Sequence, residues 1–429
     1  MVSLVVKFFI ETFGCTANVS ASELMSYLLQ KCNYEKTEEI LEADFVVINT
    51  CIVKAPTENK IKDLLKKLYS KYPLIITGCL PQIMSDWCHK NIPNSSFIGV
   101  DHFSDICEAA HAILNKKSFE ILSRESVFCE EVHRDRARDL TGIIEISKGC
   151  TGECAYCAVK IAKGPLVSKS PELILEEAKT AIQEGCKELW ITAQDTASYG
   201  LEIDYDLPSL IEEISKIEGD FKIRIGMMNP DYALPIIDRL NGMYQNSKVY
   251  SFAHIPLQSG SNHILNKMFR KYTIEEYEKL IFSLRNTVNL TLSTDIITGF
   301  PEESDYDFKQ TIDFLRKIQF DIVNISKYGD REGTLASLSK EKLPTEIIKK
   351  RSRELTKIVS KMTLERNKLW IGWEGSATAL RRDDRNSSIL FRNNAYKLIS
   401  VNDPSIILGQ TYNVKIEKAL KTRLVGRII

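Results

Sequence analysis

Three cysteines fall within eight residues of this chain: Cys150, Cys154 and Cys157, in CTGECAYC. The spacing, C-x3-C-x2-C, limits what they can do. A disulfide would leave one thiol over. A tetrahedral zinc site needs a fourth ligand, and no further Cys or His stands close by in the sequence. Three thiolates suit an iron–sulfur cluster in which one iron stays open for another ligand. Three more cysteines occupy matching places near the start. Cys15, Cys51 and Cys79 each follow a strand-like run, in ETFGCTANVSASE, DFVVINTCIVKAPTENK and LIITGCLPQ. In a parallel sheet the C-terminal strand ends lie along one edge, so these three thiols can meet there. Gly14 and Gly78 let the backbone turn sharply before two of them. The competing reading is three buried structural thiols, since free Cys is among the most buried residue types.

The elements that must position these thiols come in two alternating series. In residues 1–115, strand-like runs at 4–12, 44–50, 74–78 and 95–100 alternate with helical patterns at 20–32, 58–70 and 82–90. Such alternation predicts a parallel sheet with helices on its faces. Residues 116–140 are charged, weakly patterned and read as a linker. A second series begins at Thr141, with strands at 143–147, 188–193, 222–228, 249–258, 290–299 and 320–326. Helical patterns at 171–184 and 275–286 sit between them. Six βα units fall short of a closed eightfold barrel, so residues 141–366 predict an open, partial (β/α)6 barrel. This domain ends in a long basic helix at 345–370. Residues 367–429 turn to short β-like runs, SATAL, AYKLIS, TYNVKIEKA and RLVGRII, and predict a small all-β barrel. The fold class is therefore α/β with a terminal β-barrel.

The chain has 429 residues, 11 of them Cys. An odd thiol count without a secretory leader fits a reducing compartment, and points to the cytoplasm. Cys32, Cys88, Cys107, Cys129 and Cys186 lie in helical or linker patterns and read as core or surface thiols without partners. No run of about 18 apolar residues occurs, which argues against a membrane helix.

The C-x3-C-x2-C motif after a strand, with Tyr156 before its last Cys, resembles the signature of the radical S-adenosylmethionine (radical SAM) enzymes. Three earlier cysteines, a partial barrel and a closing β-domain make the whole chain similar to the methylthiotransferases. The closing domain resembles their RNA-binding TRAM barrel. GCTGECAYCAVKIAKGPLVS, ELWITAQDTASYG, RIGMMNP, HIPLQSGSN, STDIITGFPEES and SKYGDREGTLAS look like the archaeal and eukaryotic branch acting on N6-threonylcarbamoyladenosine (t6A) in tRNA. Two stretches depart from other branches. Ala158, Val159, Lys160 and Lys163 stand where Pro and Arg are common, and the Arg-Pro-Gly-Thr version survives here as Arg331, Gly333 and Thr334.

That resemblance implies sulfur insertion at C2 of the t6A base 3′ of the anticodon, at tRNA position 37, then methylation to 2-methylthio-t6A. Aromatic C2–H replacement needs cofactor chemistry that no side-chain acid or base supplies. The implied cofactors are two [4Fe–4S] clusters, on Cys150, Cys154 and Cys157 and on Cys15, Cys51 and Cys79, and S-adenosylmethionine. An electron donor and a sulfur source are implied as partners, and the chain is expected to work as a monomer. Polar residues at the barrel strand ends, Gln194, Asp195, Asn229, Gln258 and Asp295, are candidate cofactor contacts, with Tyr156 packing on the adenine. The bland reading of these is helix and turn capping, and for His254 a satisfied core histidine. Lys160 and Lys163 are placed near substrate phosphate or the threonylcarbamoyl carboxylate. Two other readings stay open: a methylthiotransferase acting on a ribosomal protein, and a non-catalytic RNA-binding protein with a structural metal.

The charge pattern bears on the RNA. Lys and Arg number 57, as do Asp and Glu, so the formal net charge is zero. A neutral total argues against a nucleic-acid partner until the chain is divided. Residues 367–429 hold 11 basic against 5 acidic residues, and 340–366 hold nine against four, so the last 90 residues are +11 and the rest −11. A basic tail can attract a phosphate backbone. Arg381, Arg382, Arg385, Arg392, Lys415, Lys418, Lys421 and Arg423 are the candidate RNA contacts.

Overall fold

The computed structural model describes residues 5–52, 55–125, 128–138, 140–383 and 387–429. The chain divides into two compact units. The first comprises Met1–Ala137, Ile143–Thr151 and Cys157–Thr180; the second comprises Arg138–Gly142, Gly152–Tyr156 and Ala181–Ile429.

The first unit is built on six parallel strands, β1 (Lys7–Thr12), β2 (Glu35–Lys36), β3 (Phe45–Thr50), β4 (Leu74–Gly78), β5 (Ser96–Ile98) and β6 (Glu120–Ile121), ordered β2-β1-β3-β4-β5-β6. The connecting helices are α1 (Thr16–Lys31), α2 (Ala55–Tyr69), α3 (Cys79–Ile83), α4 (Ser85–Asn91) and α5 (Ile106–Leu114). Strands β3 and β4 are buried at every position, as unbroken apolar runs in a two-faced sheet must be. Side chains alternate between the faces. Val46, Ile48 and Ile76 join Ile61 and Leu65 of α2. Phe45, Val47 and Ile75 join Met25 and Leu29 of α1 and Ala109 and Ile113 of α5.

Two expectations change here. The stretch read as a linker supplies β6, a two-residue strand too short to leave a periodic signal. Cys32 and Cys107, read as unpaired, form a disulfide with a Cα–Cα distance of 6.5 Å. Seventy-five residues separate them in sequence. They are neighbours because α1 and α5 cover the same face of the sheet, a juxtaposition that no local pattern reports.

After β7 (Thr141–Glu145), a short antiparallel pair, β8 (Ser147–Lys148) and β9 (Val167–Ser168), brackets α6 (Ala158–Lys163). α7 (Pro171–Gln183) follows. The second unit continues with parallel strands β10 (Glu188–Thr192), β11 (Lys222–Ile225), β12 (Phe252–His254), β13 (Thr291–Thr298) and β14 (Ile322–Lys327). Between them run α8 (Leu207–Ser215), α9 (Pro230–Ala233), α10 (Ile237–Tyr244), α11 (Asn262–Lys267), α12 (Ile274–Thr287) and α13 (Asp305–Ile318). All six strands expected for the partial barrel are present. The fourth is shorter than expected because Pro256 offers no N–H to the ladder; Gln258 rejoins it beside Ile296. Capping boxes start α12 at Thr273 and α13 at Ser304.

The long basic helix is α14 (Thr345–Lys368). The tail is a closed barrel of β15 (Glu374–Arg382), β16 (Ile389–Asn393), β17 (Leu398–Val401), β18 (Thr411–Ala419) and β19 (Leu424–Ile428). Strand β16 is absent from the expected runs, its apolar stretch being only Ile389, Leu390 and Phe391. Ala379, Phe391, Ile399 and Val414 fill the interior. Within this unit the barrel is tied to the αβ layer: Lys397 Nζ lies 2.9 Å from Asp321 Oδ1, and Tyr396 packs on Tyr250 and Phe252. No helix among the described residues is long and apolar enough to cross a membrane.

Candidate active site

Register brings to one level the strand ends that the first three cysteines follow. Thr12 pairs with Asn49, and Thr50 with Gly78, so β1, β3 and β4 end level. Cys15, Cys51 and Cys79 stand just beyond those ends. Asn18 fastens two of the loops, its Nδ2 donating to the carbonyls of Phe13 (2.8 Å) and Thr50 (2.9 Å). Thr50 Oγ1 fastens the third, accepting from Leu80 N at 3.0 Å and donating to Thr77 O at 2.6 Å. Gly14 has φ +115°, and a Cβ there would sit 2.5 Å from Cys51 Cβ and 2.9 Å from its Sγ. Glycine is therefore required at this approach. Cys51 and Cys79 are buried and Cys15 is exposed. Burial pushes the Cys79 thiol up to about 12, with Cys51 and Cys15 adding to the rise while Lys163 and Arg124 oppose it.

Three thiols are one ligand short of a tetrahedral ion and match a cluster with one open iron in number. Among the described residues no three Cys, His, Asp or Glu side chains converge as a mononuclear site demands. A four-iron cluster binds each thiolate through a different iron, so it asks for three thiols around a wider space.

The second triad sits on the loop between β8 and α6. Gly149 has φ +73°, and a Cβ there would come within 1.7 Å of Pro165 O. Cys150 N donates to Gly164 O at 3.2 Å. Ala155 N donates to Met268 O (3.1 Å), and Ala155 O accepts from Ala336 N (2.8 Å). Cys150, Cys154 and Cys157 are all partly exposed. Arg270, which sequence reasoning missed, donates from Nη1 to Cys154 Sγ at 3.0 Å and from Nε to the Tyr272 hydroxyl at 3.2 Å. It lies in the short stretch after α11, where FRKYT carries no motif, so only the folded chain reveals it.

The expected cofactor residues take distinct places. Tyr156 packs edge-on against Phe300, ring centroids 6.3 Å apart. Gln194 Oε1 is buried without a hydrogen-bond partner. Asp195 is buried; its Oδ1 accepts from Ala197 N (3.0 Å) and Asn229 N (2.9 Å), and its Oδ2 has no partner. Asn229 caps α9, accepting from Asp231 N. Gln258 adopts φ +68° beside β13. Asp295 accepts from Asn324 Nδ2 at 2.8 Å and lies 3.1 Å from His254 Nε2. Two unpartnered buried oxygens, Gln194 Oε1 and Asp195 Oδ2, are what a polar ligand bearing hydroxyl groups would satisfy.

Burial raises the Asp195 carboxyl from 3.8 to about 7, against the pull of its two backbone amides. From pH 4 to pH 7 the unfolded carboxyl ionises while the folded one keeps its proton. The folded state then binds more protons, so stability falls as pH rises. Asp195→Asn keeps an acceptor for both amides and removes this loss. Its Tm relative to the parent should rise between pH 4 and pH 7 by at least about 2–4 °C, the shift that 1 kcal/mol produces in domains of 150–250 residues. An equal Tm difference at both pH values would refute the assignment.

Lys163 is buried, its electrostatic neighbours including Glu145, Cys79 and Cys15. On the terminal barrel the basic candidates separate. Arg392 Nη1 donates to Tyr396 O at 2.8 Å, Lys415 pairs with Glu374 at 2.7 Å, and Arg423 pairs with Asp383. Arg381 is half-buried, whereas Arg382, Lys418 and Lys421 are exposed. Arg385 lies outside the described residues.

The Radical SAM superfamily profile matches residues 144–315, and that of Uncharacterized protein family UPF0004 matches residues 7–99. A probable threonylcarbamoyladenosine tRNA methylthiotransferase of Pyrococcus horikoshii is 37% identical over 429 residues, covering 99% of this chain and 100% of its own. One of Archaeoglobus fulgidus is 34% identical, covering 98% of both chains. The threonylcarbamoyladenosine tRNA methylthiotransferase of Drosophila melanogaster is 30% identical over 99% of this chain and 78% of its own. Among solved structures, the radical S-adenosylmethionine methyltransferase TsrM of Kitasatospora setae, with cobalamin and a [4Fe-4S] cluster bound, is similar in fold. Its TM-score is 0.57 at 12% identity, over 78% of this chain and 77% of that one.

Proposed function

Because the chain belongs to the threonylcarbamoyladenosine tRNA methylthiotransferase family, we propose that it converts t6A at tRNA position 37 to 2-methylthio-t6A. The observation that carries this reading is the pair of three-cysteine sites, one on the loop after β8 and one at the level ends of β1, β3 and β4. When bound, [4Fe–4S] clusters and S-adenosylmethionine supply the radical, the inserted sulfur and the methyl group.

The chain's own residues prepare that chemistry. Cys150, Cys154 and Cys157 hold one cluster with an iron left for the cofactor, and Cys15, Cys51 and Cys79 hold the second. Arg270, beside Cys154, offers a guanidinium to the methionine carboxylate, a pairing for which its fork is suited. Gln194 and Asp195 offer unpartnered buried oxygens to ribose hydroxyls, and Tyr156 with Phe300 offers an apolar wall to adenine. The exposure of Cys15 leaves the second cluster approachable by the base. Arg382, Lys418 and Lys421 offer charges to phosphates. This work needs an electron donor and a sulfur source, and the reading places the chain, as a monomer, in the cytoplasm where both meet tRNA.

The test is the nucleoside mass spectrum of tRNA from a deletion strain. It should lose 2-methylthio-t6A while t6A accumulates, and the chain should restore it. Persistence of 2-methylthio-t6A in a strain without another such enzyme would overturn the assignment.

A further inference from the structure

Lys163 ends α6, whose N-cap is Cys157. Its side chain is only 5% exposed. Helix α6 packs on α3, the helix that begins at Cys79, and Ala158 and Ala162 share a core cluster with Cys51, Cys79 and Leu80. The charges that act on the Lys163 ammonium come from Glu145, Cys79, Cys15 and Asp101. Glu145 is the nearest of the carboxylates and pairs with it loosely. Glu145 Oε1 is 3.9 Å away, beyond hydrogen-bond reach, and Asp101 is taken by Lys148 at 2.7 Å. Phe103 covers the other side, its ring centroid 5.9 Å from Nζ. Arg124 is the other cation facing Cys79, but it is 38% exposed and donates to Ile161 O at 2.5 Å.

A buried ammonium whose one carboxylate partner is not hydrogen-bonded to it stays costly unless a further anion compensates it. We propose that Lys163 is the counter-cation of the cluster held by Cys15, Cys51 and Cys79, a positioning residue that offsets the negative charge of three thiolates. This rests on the reading that those cysteines hold a cluster. Two consequences follow from charge alone. Without the ammonium the site should hold its cluster more weakly. The added electron should also be less welcome, because each reduction makes the thiolate cluster more negative. Through α6 the two cysteine sites share one element: Cys157 caps its start and Lys163 its last turn.

The test uses the full chain carrying Cys150→Ala, Cys154→Ala and Cys157→Ala, so that only the N-terminal cluster reports. Lys163→Met and Lys163→Arg are added to this parent. Iron content, the midpoint potential from an EPR-monitored redox titration, and the Tm of the iron-free proteins are measured. K163M should bind the electron at least tenfold less well, a downward shift of about 59 mV or more for one electron, or lose its iron with the apo-protein Tm unchanged. K163R, which keeps the charge, should restore the parent's behaviour. An unmoved potential with full iron in K163M would overturn the proposal. So would equal loss of apo-protein stability in K163M and K163R, since that marks a packing role. A parent that takes up no iron would instead sink the N-terminal cluster itself, an outcome distinguishable from failure of the lysine assignment.

Discussion

Anaerobic reconstitution of the chain should load about eight irons, and the Cys15→Ala, Cys51→Ala, Cys79→Ala variant about four. That variant should still cleave S-adenosylmethionine to 5′-deoxyadenosine yet form no 2-methylthio-t6A. The reciprocal variant at Cys150, Cys154 and Cys157 should also keep about four irons and lose cleavage entirely. The asymmetry follows from the geometry. The two triads share no residue, and Arg270 and the open acceptors of Gln194 and Asp195 lie in the unit that contains Cys154. Cys15, Cys51 and Cys79 stand at a sheet edge held by Asn18 and Thr50. Alanine at all three is the cleaner substitution, because a single exposed thiol such as Cys15 can be replaced at its iron by solvent. A wild-type chain that saturates at four irons, with Cys15→Ala unchanged, would remove the second cluster from the reading.

Neutralising Arg382, Lys418 and Lys421 together should weaken tRNA binding and flatten its dependence on salt. The three are exposed, while Arg392, Lys415 and Arg423 are engaged by Tyr396, Glu374 and Asp383. Each lost phosphate contact should reduce the slope of log K against log salt by about 0.7–0.9, so the triple variant should lose about 2–3 units of slope. Cleavage of S-adenosylmethionine without tRNA should be unaffected. Deleting residues from about 367 is a blunter test than the +6 charge of that segment suggests. It would strip Tyr396 from Tyr250 and Phe252 and Lys397 from Asp321, exposing surface that the rest of the unit buries. An unchanged salt slope in the triple variant would move the RNA footprint elsewhere.

Much of the fold was legible because its strands are long or fully buried. FVVINT and LIITG read as strands since sheets covered on both faces need unbroken apolar runs. The short strands at 35–36, 120–121 and 389–393 were not, since two to five residues carry too little periodicity. Both cysteine triads were visible as candidates. The first triad's meeting place was an inference from topology, and the register of Thr12 with Asn49 and Thr50 with Gly78 sets the three strand ends level.

By itself, then, the sequence determined residue type, local conformation and which faces are apolar. That sufficed for the α/β class, the terminal barrel, the two sets of three thiols and the uneven division of charge. Tertiary structure decided who stands beside whom. It set Arg270 against Cys154, buried Lys163 within electrostatic reach of the N-terminal thiols, and joined Cys32 to Cys107. It also separated the exposed basic residues of the barrel from the paired ones. The physical reason is one of range. Backbone preference and hydrophobic periodicity act over a few residues, whereas these partners are brought together by strand register and helix packing across tens to hundreds of residues.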